Sequence, residues 1–198
     1  EMESDIVPAE EDLLLERVRS LLEAMKPGVV ILEDYNKGVL TERVITGVIA
    51  AAHERGIPVA VDPKKKNFFA YRGVDLFKPN VKELREGLKI DLRGGDIPGV
   101  RNAVAQLEER MDNKASLITL SEHGVYVHAG SEEHKLPAHQ RKIVDVSGAG
   151  DSVIAVAALC LAQGLPWRVL AGWANLAGGL VCEHVGVVPV DRAMLLAE

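Results

Sequence analysis

The run Asp145-Val146-Ser147-Gly148-Ala149-Gly150-Asp151-Ser152 separates a short apolar stretch ending at Val144 from a longer one spanning Val153 to Leu161. Such a run reads as a glycine-rich turn that opens a helix. Glycines let a backbone approach a ligand without interference from Cβ, so a side chain at Gly150 is expected to block the turn. The amides of Gly148, Ala149, Gly150 and Asp151 would then point at whatever lies in front of the helix. A helix N-terminus carries partial positive charge and favours anions, phosphate among them. The carboxylate of Asp151 stands at the same place and can accept a proton. An anion cradle and a base on one turn suit the transfer of a phosphoryl group to an alcohol. Taken without context, the same turn is also a routine helix start, since Ser and Asp are ordinary N-caps.

Further polar groups follow apolar runs elsewhere. Glu33-Asp34-Tyr35-Asn36-Lys37-Gly38 reads, on its residues alone, as a solvated turn after a strand. Asp62-Pro63-Lys64-Lys65-Lys66-Asn67 is a short basic loop that reads equally as a solvated face. Asn80 with Glu83 has the spacing of a helix capping box. Thr119-Leu120-Ser121-Glu122-His123-Gly124 is a turn after an apolar run, and Asn175 sits in a helical pattern.

These groups must be positioned by the elements around them. Leu14, Val18, Leu21, Leu22 and Met25 make a helical stripe over Glu11 to Met25, closed by Pro27-Gly28, after an acidic, aperiodic lead-in over residues 1–10. Val29 to Leu32, Pro58 to Val61, Val74 to Phe77 and Ser116 to Leu120 are continuous apolar runs of strand length, as in a parallel sheet covered on both faces. Helices are expected over Thr41 to Arg55, from Val81, over Val100 to Met111, and over 149–163 and 167–183. Val125 to His128 and Glu133 to Leu136 read as a hairpin about Ala129-Gly130. The alternation predicts an α/β fold with a mainly parallel sheet, and in such sheets ligands gather at the carboxyl ends of strands.

Composition narrows the function classes. The chain has 198 residues, 47% hydrophobic and 26% charged, the balance of a globular domain rather than a disordered chain. A net charge of −6 argues against non-specific nucleic-acid binding, and 4% aromatics leave no base-stacking platform. Cys160 and Cys182 lie in apolar helical patterns and read as small buried hydrophobes. No apolar run has membrane-spanning length and no signal peptide is evident, so a cytoplasmic protein is expected.

The string D-V-S-G-A-G-D resembles the second signature of the ribokinase-like (PfkB) family of carbohydrate kinases. That resemblance implies a three-layer α/β domain, ATP and Mg²⁺ as cofactors, Asp151 as catalytic base, and an anion hole from the amides of Gly148 to Gly150. D-Y-x-K-G at Asp34 to Gly38 and V-D-P-K at Val61 to Lys64 resemble the branch that phosphorylates heptose 7-phosphate. There, Asp34, Lys37, Asp62 and Lys64 would line the sugar and phosphate site, with Asp34 accepting from a hydroxyl and Lys37 meeting a phosphate as a point charge. Asn80 and Glu83 match the family's N-x-x-E motif, which implies that the pair organises Mg²⁺ through waters that the ion gives up reluctantly. Thr119, Ser121, Glu122 and Gly124 match a nucleotide loop usually spelled T-L-G-x-x-G, with Ser121 in place of a glycine. Asn175 and Gly186 match positions beside adenine, and Asp145 a position that in some relatives helps hold a monovalent cation such as K⁺. The match covers the C-terminal two-thirds of the family pattern, so residues 1–198 are read as one partial domain lacking the N-terminal sugar motif and β-sheet lid. A free or phosphorylated sugar is the expected partner, and a homodimer is compatible with the longer protein. Another sugar or a nucleoside as acceptor, and a lid-less nucleotide-binding fragment without turnover, stay open.

Overall fold

The computed structural model describes residues 4–197. Its centre is a six-stranded sheet of β1 (Val30–Glu33), β2 (Val59–Asp62), β3 (Leu76–Phe77), β4 (Ser116–Thr119), β5 (Val125–Ala129) and β6 (Glu132–Leu136), in that spatial order. The first four run parallel, and β4, β5 and β6 are antiparallel to one another. Helices α1 (Pro8–Met25), α2 (Glu42–His53), α3 (Val81–Leu88) and α4 (Ile97–Met111) enter one core with Leu32, Val59, Val61, Phe77, Ile118 and Tyr126. Helices α5 (Ala149–Ala162) and α6 (Trp167–Val181) enter the other with Ala60, Leu76, Leu117, Val125 and Val127. Successive strand residues point to opposite faces, which is why Val59 and Val61 belong to the first core and Ala60 to the second.

Several starts and stops are where the residue types place them. Thr41 caps α2 by accepting from the Val44 amide, and Gly56 follows that helix at φ +67°. Asn80 and Glu83 form the reciprocal capping box of α3. Two starts come earlier than expected. Helix α1 begins at Pro8, because proline at the first turn lacks only a donor that would be unpaired anyway and Glu10 caps the Val7 amide. Helix α4 begins at Ile97, capped by Asp96 accepting from the Gly99 amide. The lead-in expected over residues 1–10 therefore ends at Val7. Its residues 1–3 lie outside those described, and the rest is held: Ile6 donates its amide to Gly38 and Asp5 pairs with Lys66 at 2.6 Å. A short helix α7 (Arg192–Leu196) lies beyond the expected elements.

At the end of the sheet away from the strand carboxyl ends, Asp75 is a buried fastener. Its carboxylate accepts from the Val59 amide at 2.8 Å and Lys114 at 2.5 Å, with His53 Nε2 2.9 Å away. Burial works against the charge, but Lys114, the Val59 amide and His53 outweigh it and hold the carboxyl below the ordinary aspartate value. Asp75→Ala is expected to lower stability by about 2–4 kcal/mol, since it strands a buried amide and breaks a partly buried pair. Urea unfolding near neutral pH checks this. The difference between wild type and variant shrinks in acid, because a carboxyl lowered in the folded state stabilises above its unfolded pKa and loses that contribution as pH falls through the folded value.

Candidate active site

The turn before α5 faces the carboxyl ends of β1 and β2. Gly148 is the N-cap of α5 at φ +76°, so the left-handed backbone of this turn belongs to Gly148. A Cβ there would also meet Val187 Cγ1 at 3.0 Å. Gly150 has no positive φ, and a Cβ there would lie in ordinary contact, 3.6 Å from both Asp62 Oδ2 and Lys78 Nζ, so the block expected from a side chain at this position is not met at the Cβ itself. Asp151, in the first turn of α5, is exposed and accepts from the Tyr35 hydroxyl at 3.3 Å.

Strand alternation selects what lies beneath the turn. Counting in steps of two from Ala60 and Leu76, which face α5, reaches Asp62 and Lys78. The same step from Ile31 reaches Glu33. Asp62 and Lys78 are buried and paired, with Lys78 Nζ 2.8 Å from Asp62 Oδ2. Asp62 Oδ1 is buried without a hydrogen-bond partner, 3.6 Å from Lys64 Nζ. Carboxylate oxygens of Glu33, Asp62 and Asp151 all lie within 4.8 Å of one another. That spacing suits a shared proton or a shared cation, and Lys78 already supplies positive charge to Asp62. Burial, then the charges of Asp62 and Asp151, push the Glu33 carboxyl up to about 7 against the opposing pull of Lys78.

Asp34 and Asp62 sit on opposite faces of the sheet. Asp34 is buried on the α1–α4 side, accepting from the Tyr71 hydroxyl at 2.8 Å and the Asn36 amide at 2.7 Å. Burial and Asp34 raise the Tyr71 hydroxyl above the ordinary tyrosine value. Asp34 thus shapes the loop that carries Tyr35 and the exposed Lys37. The lysine loop is likewise tied down. Lys64 meets Glu83 at 2.8 Å, Lys65 meets Glu86 at 3.7 Å, and Asn67 donates to the Leu40 carbonyl at 2.6 Å. Burial opposes the Lys64 charge, yet Glu83 and Asp62 raise its ammonium above the ordinary lysine value.

Asn80 and Glu83 stand at the end of β3 beside Thr119, with the Thr119 amide on the Pro79 carbonyl. Asn80 Oδ1 accepts from the Glu83 amide, Glu83 Oε2 from the Asn80 amide and Glu83 Oε1 from Lys64. A donor set so engaged fits a hydrated divalent ion met through its waters rather than one bound directly. In the loop after β4, Ser121 adopts φ +53° and Gly124 φ +87°. The serine therefore occupies a backbone conformation that glycine adopts freely and other residues seldom do. Glu122 is exposed and 3.4 Å from His123. Asn175 donates to the Pro137 carbonyl at 2.8 Å, fastening α6 to the chain after β6. Asp145 accepts from the amide and hydroxyl of Ser147 and from the amide of Gly186, which joins two turns. Those hydrogen bonds, Ser147's amide first, hold its carboxyl below the ordinary aspartate value.

The structure thus brings Asp151, Gly148, Ala149, Gly150, Asp62 and Lys64 into one neighbourhood with the Asn80–Glu83 pair. It adds Glu33, Tyr35 and Lys78, to which the motif reading gave no role, although Tyr35 is spelled in D-Y-x-K-G. No helix among the described residues is long and apolar enough to cross a membrane.

Comparison with known proteins places this arrangement. A family model described as pfkB family carbohydrate kinase matches residues 9–192. The bifunctional protein HldE of Rhodospirillum rubrum is 40% identical over 191 residues, 96% of this chain and 38% of that protein. HldE of Syntrophotalea carbinolica is 39% identical over 164 residues, 82% of this chain and 33% of its own length. The chain therefore spans about a third of the length of the curated relatives it matches. Among solved structures, phosphofructokinase-2 of Escherichia coli in complex with potassium superposes with a TM-score of 0.85 at 21% identity, over 98% of this chain and 62% of that one. Arabidopsis thaliana ribokinase complexed with ribose and ATP gives 0.75 at 22% identity, over 94% and 58%.

Proposed function

We propose, because the chain belongs to the pfkB family of carbohydrate kinases, that it supplies the nucleotide-binding and catalytic part of an ATP-dependent kinase acting on a sugar hydroxyl. The observation that carries this reading is the juxtaposition at the start of α5: a carboxylate with a hydroxyl partner, on a glycine turn, directly above a buried lysine and beside the Asn80–Glu83 pair. Asp151 takes the proton of the acceptor hydroxyl, a step that general bases accelerate by about 10²–10⁴. The amides of residues 148–151 donate to the moving phosphoryl group, where fixed donors stabilise charge without reorganising. Lys78 keeps Asp62 neutralised beneath that cradle. Asn80 and Glu83 would hold Mg²⁺ through its waters, and the ion would supply positive charge for the phosphates. Asp145 fixes the turn through Ser147 and Gly186, and the same corner is where a monovalent cation would act.

Heptose 7-phosphate is the acceptor that the D-Y-N-K-G and V-D-P-K loops resemble most, with Lys37 and Lys64 carried on the loops that follow β1 and β2. Fructose, ribose and nucleosides are the competing acceptors. The reaction belongs in the cytoplasm, where ATP is supplied, and the longer protein is compatible with a homodimer. Residues 1–198 form one partial kinase domain in this reading, with the acceptor oriented by segments upstream.

Residues 1–198 alone are expected to bind adenine nucleotide weakly and to release ADP no faster with heptose 7-phosphate, fructose or ribose than without sugar. Orientation of the acceptor and exclusion of water are large shares of such catalysis, and both need a cover over the site. A coupled ADP-release assay on this chain and on the longer protein tests the reading. Robust sugar-dependent turnover by residues 1–198 would remove the need for a cover. Absence of turnover in the longer protein with every sugar would overturn the kinase assignment.

A further inference from the structure

The charges at the end of β1 do not balance if every carboxyl is ionised. Glu33 from β1, Asp62 from β2 and Asp151 from α5 bring oxygens within 4.8 Å of one another. The cations at hand are committed: Lys78, from the end of β3, sits on Asp62 at 2.8 Å, and Lys64 sits on Glu83 at 2.8 Å. Tyr35 contributes a neutral hydroxyl to Asp151. Lys78 pulls on Glu33 as well, but less than burial, Asp62 and Asp151 push the other way, so Glu33 and Asp151 face each other with their repulsion only partly offset. Two carboxylates in that situation keep one proton between them, because ionising both costs more than ionising one.

We propose that Glu33 is the positioning residue of the base, a neutral carboxyl that donates its proton in a hydrogen bond to the Asp151 carboxylate. Tyr35 donates from the exposed side and Glu33 from the half-buried side, so the Asp151 carboxylate is held from two directions. The pair then presents one negative charge, not two, to an incoming anionic nucleotide. During transfer the acceptor O–H bond breaks and its oxygen bonds to phosphorus. The bond from phosphorus to the departing ADP oxygen breaks, the acceptor proton goes to Asp151, and Glu33 keeps its own. The elevation of the Glu33 carboxyl to about 7 agrees with this geometry. The role rests on Asp151 being the base, whereas the pairing does not.

The test is a double-mutant cycle in thermal stability, with Glu33→Gln, Asp151→Asn and the double variant, at pH 5 and pH 8, with chelator and with Mg²⁺. An acid whose folded pKa is raised stabilises the fold below its unfolded value and loses that contribution as pH rises through the folded value. Glutamine keeps the donor and never ionises. Glu33→Gln is therefore expected to raise Tm by about 3–6 °C at pH 8 and by less than about 1 °C at pH 5. In the Asp151→Asn background the gain at pH 8 is expected to be smaller but not abolished, because the Asp151 charge has gone while burial and Asp62 still oppose the Glu33 charge. No gain at pH 8, or a gain undiminished by Asp151→Asn, overturns the proposal. So does a loss of stability in Glu33→Gln that appears only with Mg²⁺, which would make the trio a cation site. Turnover by Asp151→Asn in the longer protein would separately remove the reading of Asp151 as base, so the two failures are distinguishable.

Discussion

Asp151→Asn in the longer protein is expected to cut phosphoryl transfer by about 10²–10⁴ while leaving ATP affinity within a few-fold. Asparagine preserves the size of the side chain and can still meet the Tyr35 hydroxyl, so the first turn of α5 stays as it is. What it loses is the ability to take a proton. Binding and chemistry are thereby separated: the cradle amides belong to the backbone and survive the substitution, whereas the base does not. Isothermal calorimetry with ATP and Mg²⁺ beside a single-turnover assay reads both. Turnover close to wild type would remove Asp151 from the chemistry and leave the turn as a nucleotide cradle only.

The second large effect is structural. Gly124→Ala is expected to cost roughly 3 kcal/mol or more and to lower Tm by roughly 6–12 °C. Two independent causes add. Gly124 has φ +87°, which side-chain-bearing residues seldom adopt. A Cβ there would also fall on the Leu136 carbonyl oxygen and come within 2.5 Å of the Ala138 amide nitrogen, both backbone atoms with nowhere to go. The Leu120 amide donates to the Gly124 carbonyl at 2.7 Å, so the displacement reaches the loop that holds Ser121 and Glu122. Calorimetric melting checks this, and a Tm within about 2 °C of wild type would contradict the geometry. Gly130, at φ +61° with open space around its Cβ position, is the matched control that isolates the clash from the backbone preference.

Most elements were legible because their signals are local. Thr41, Asn80 and Gly56 mark helix ends through contacts within a few residues, and these appear as the side-chain chemistry requires. The parallel strands announced themselves as continuous apolar runs, and the hairpin through Ala129-Gly130. The convergence of the α5 turn with β2 and β3 was legible too, from the rule that ligands gather at strand carboxyl ends. The inner side of the site was not. Glu33, Tyr35 and Lys78 belong to it through contacts made far along the chain, and motif spelling, which contains Tyr35 alone of the three, assigns none of them a role. A signal for Asp62 and Lys78 did exist: steps of two from Ala60 and Leu76 put a charged residue on the α5 face at the end of each strand, and Glu33 follows on β1. The same count separates Asp34 from Asp62, which motif reading had grouped as neighbours.

The order of the sheet has a consequence for how the chemistry is assembled. Each strand pairs with its predecessor along the chain, so the sheet closes by a series of near-neighbour steps. The base stands apart from that sequence. Tyr35 and Asp151 meet across a separation of 116 residues, one of the long loops that must be closed before α5 is seated. The scaffold and the reactive group are therefore separable in cooperativity. Undocking α5 withdraws the base, the cradle and the partner of Glu33 together, while β1 to β4 keep every backbone pairing they have. Competence to react is the property of a late, long-range closure, and the strands beneath it are a platform that stands without it.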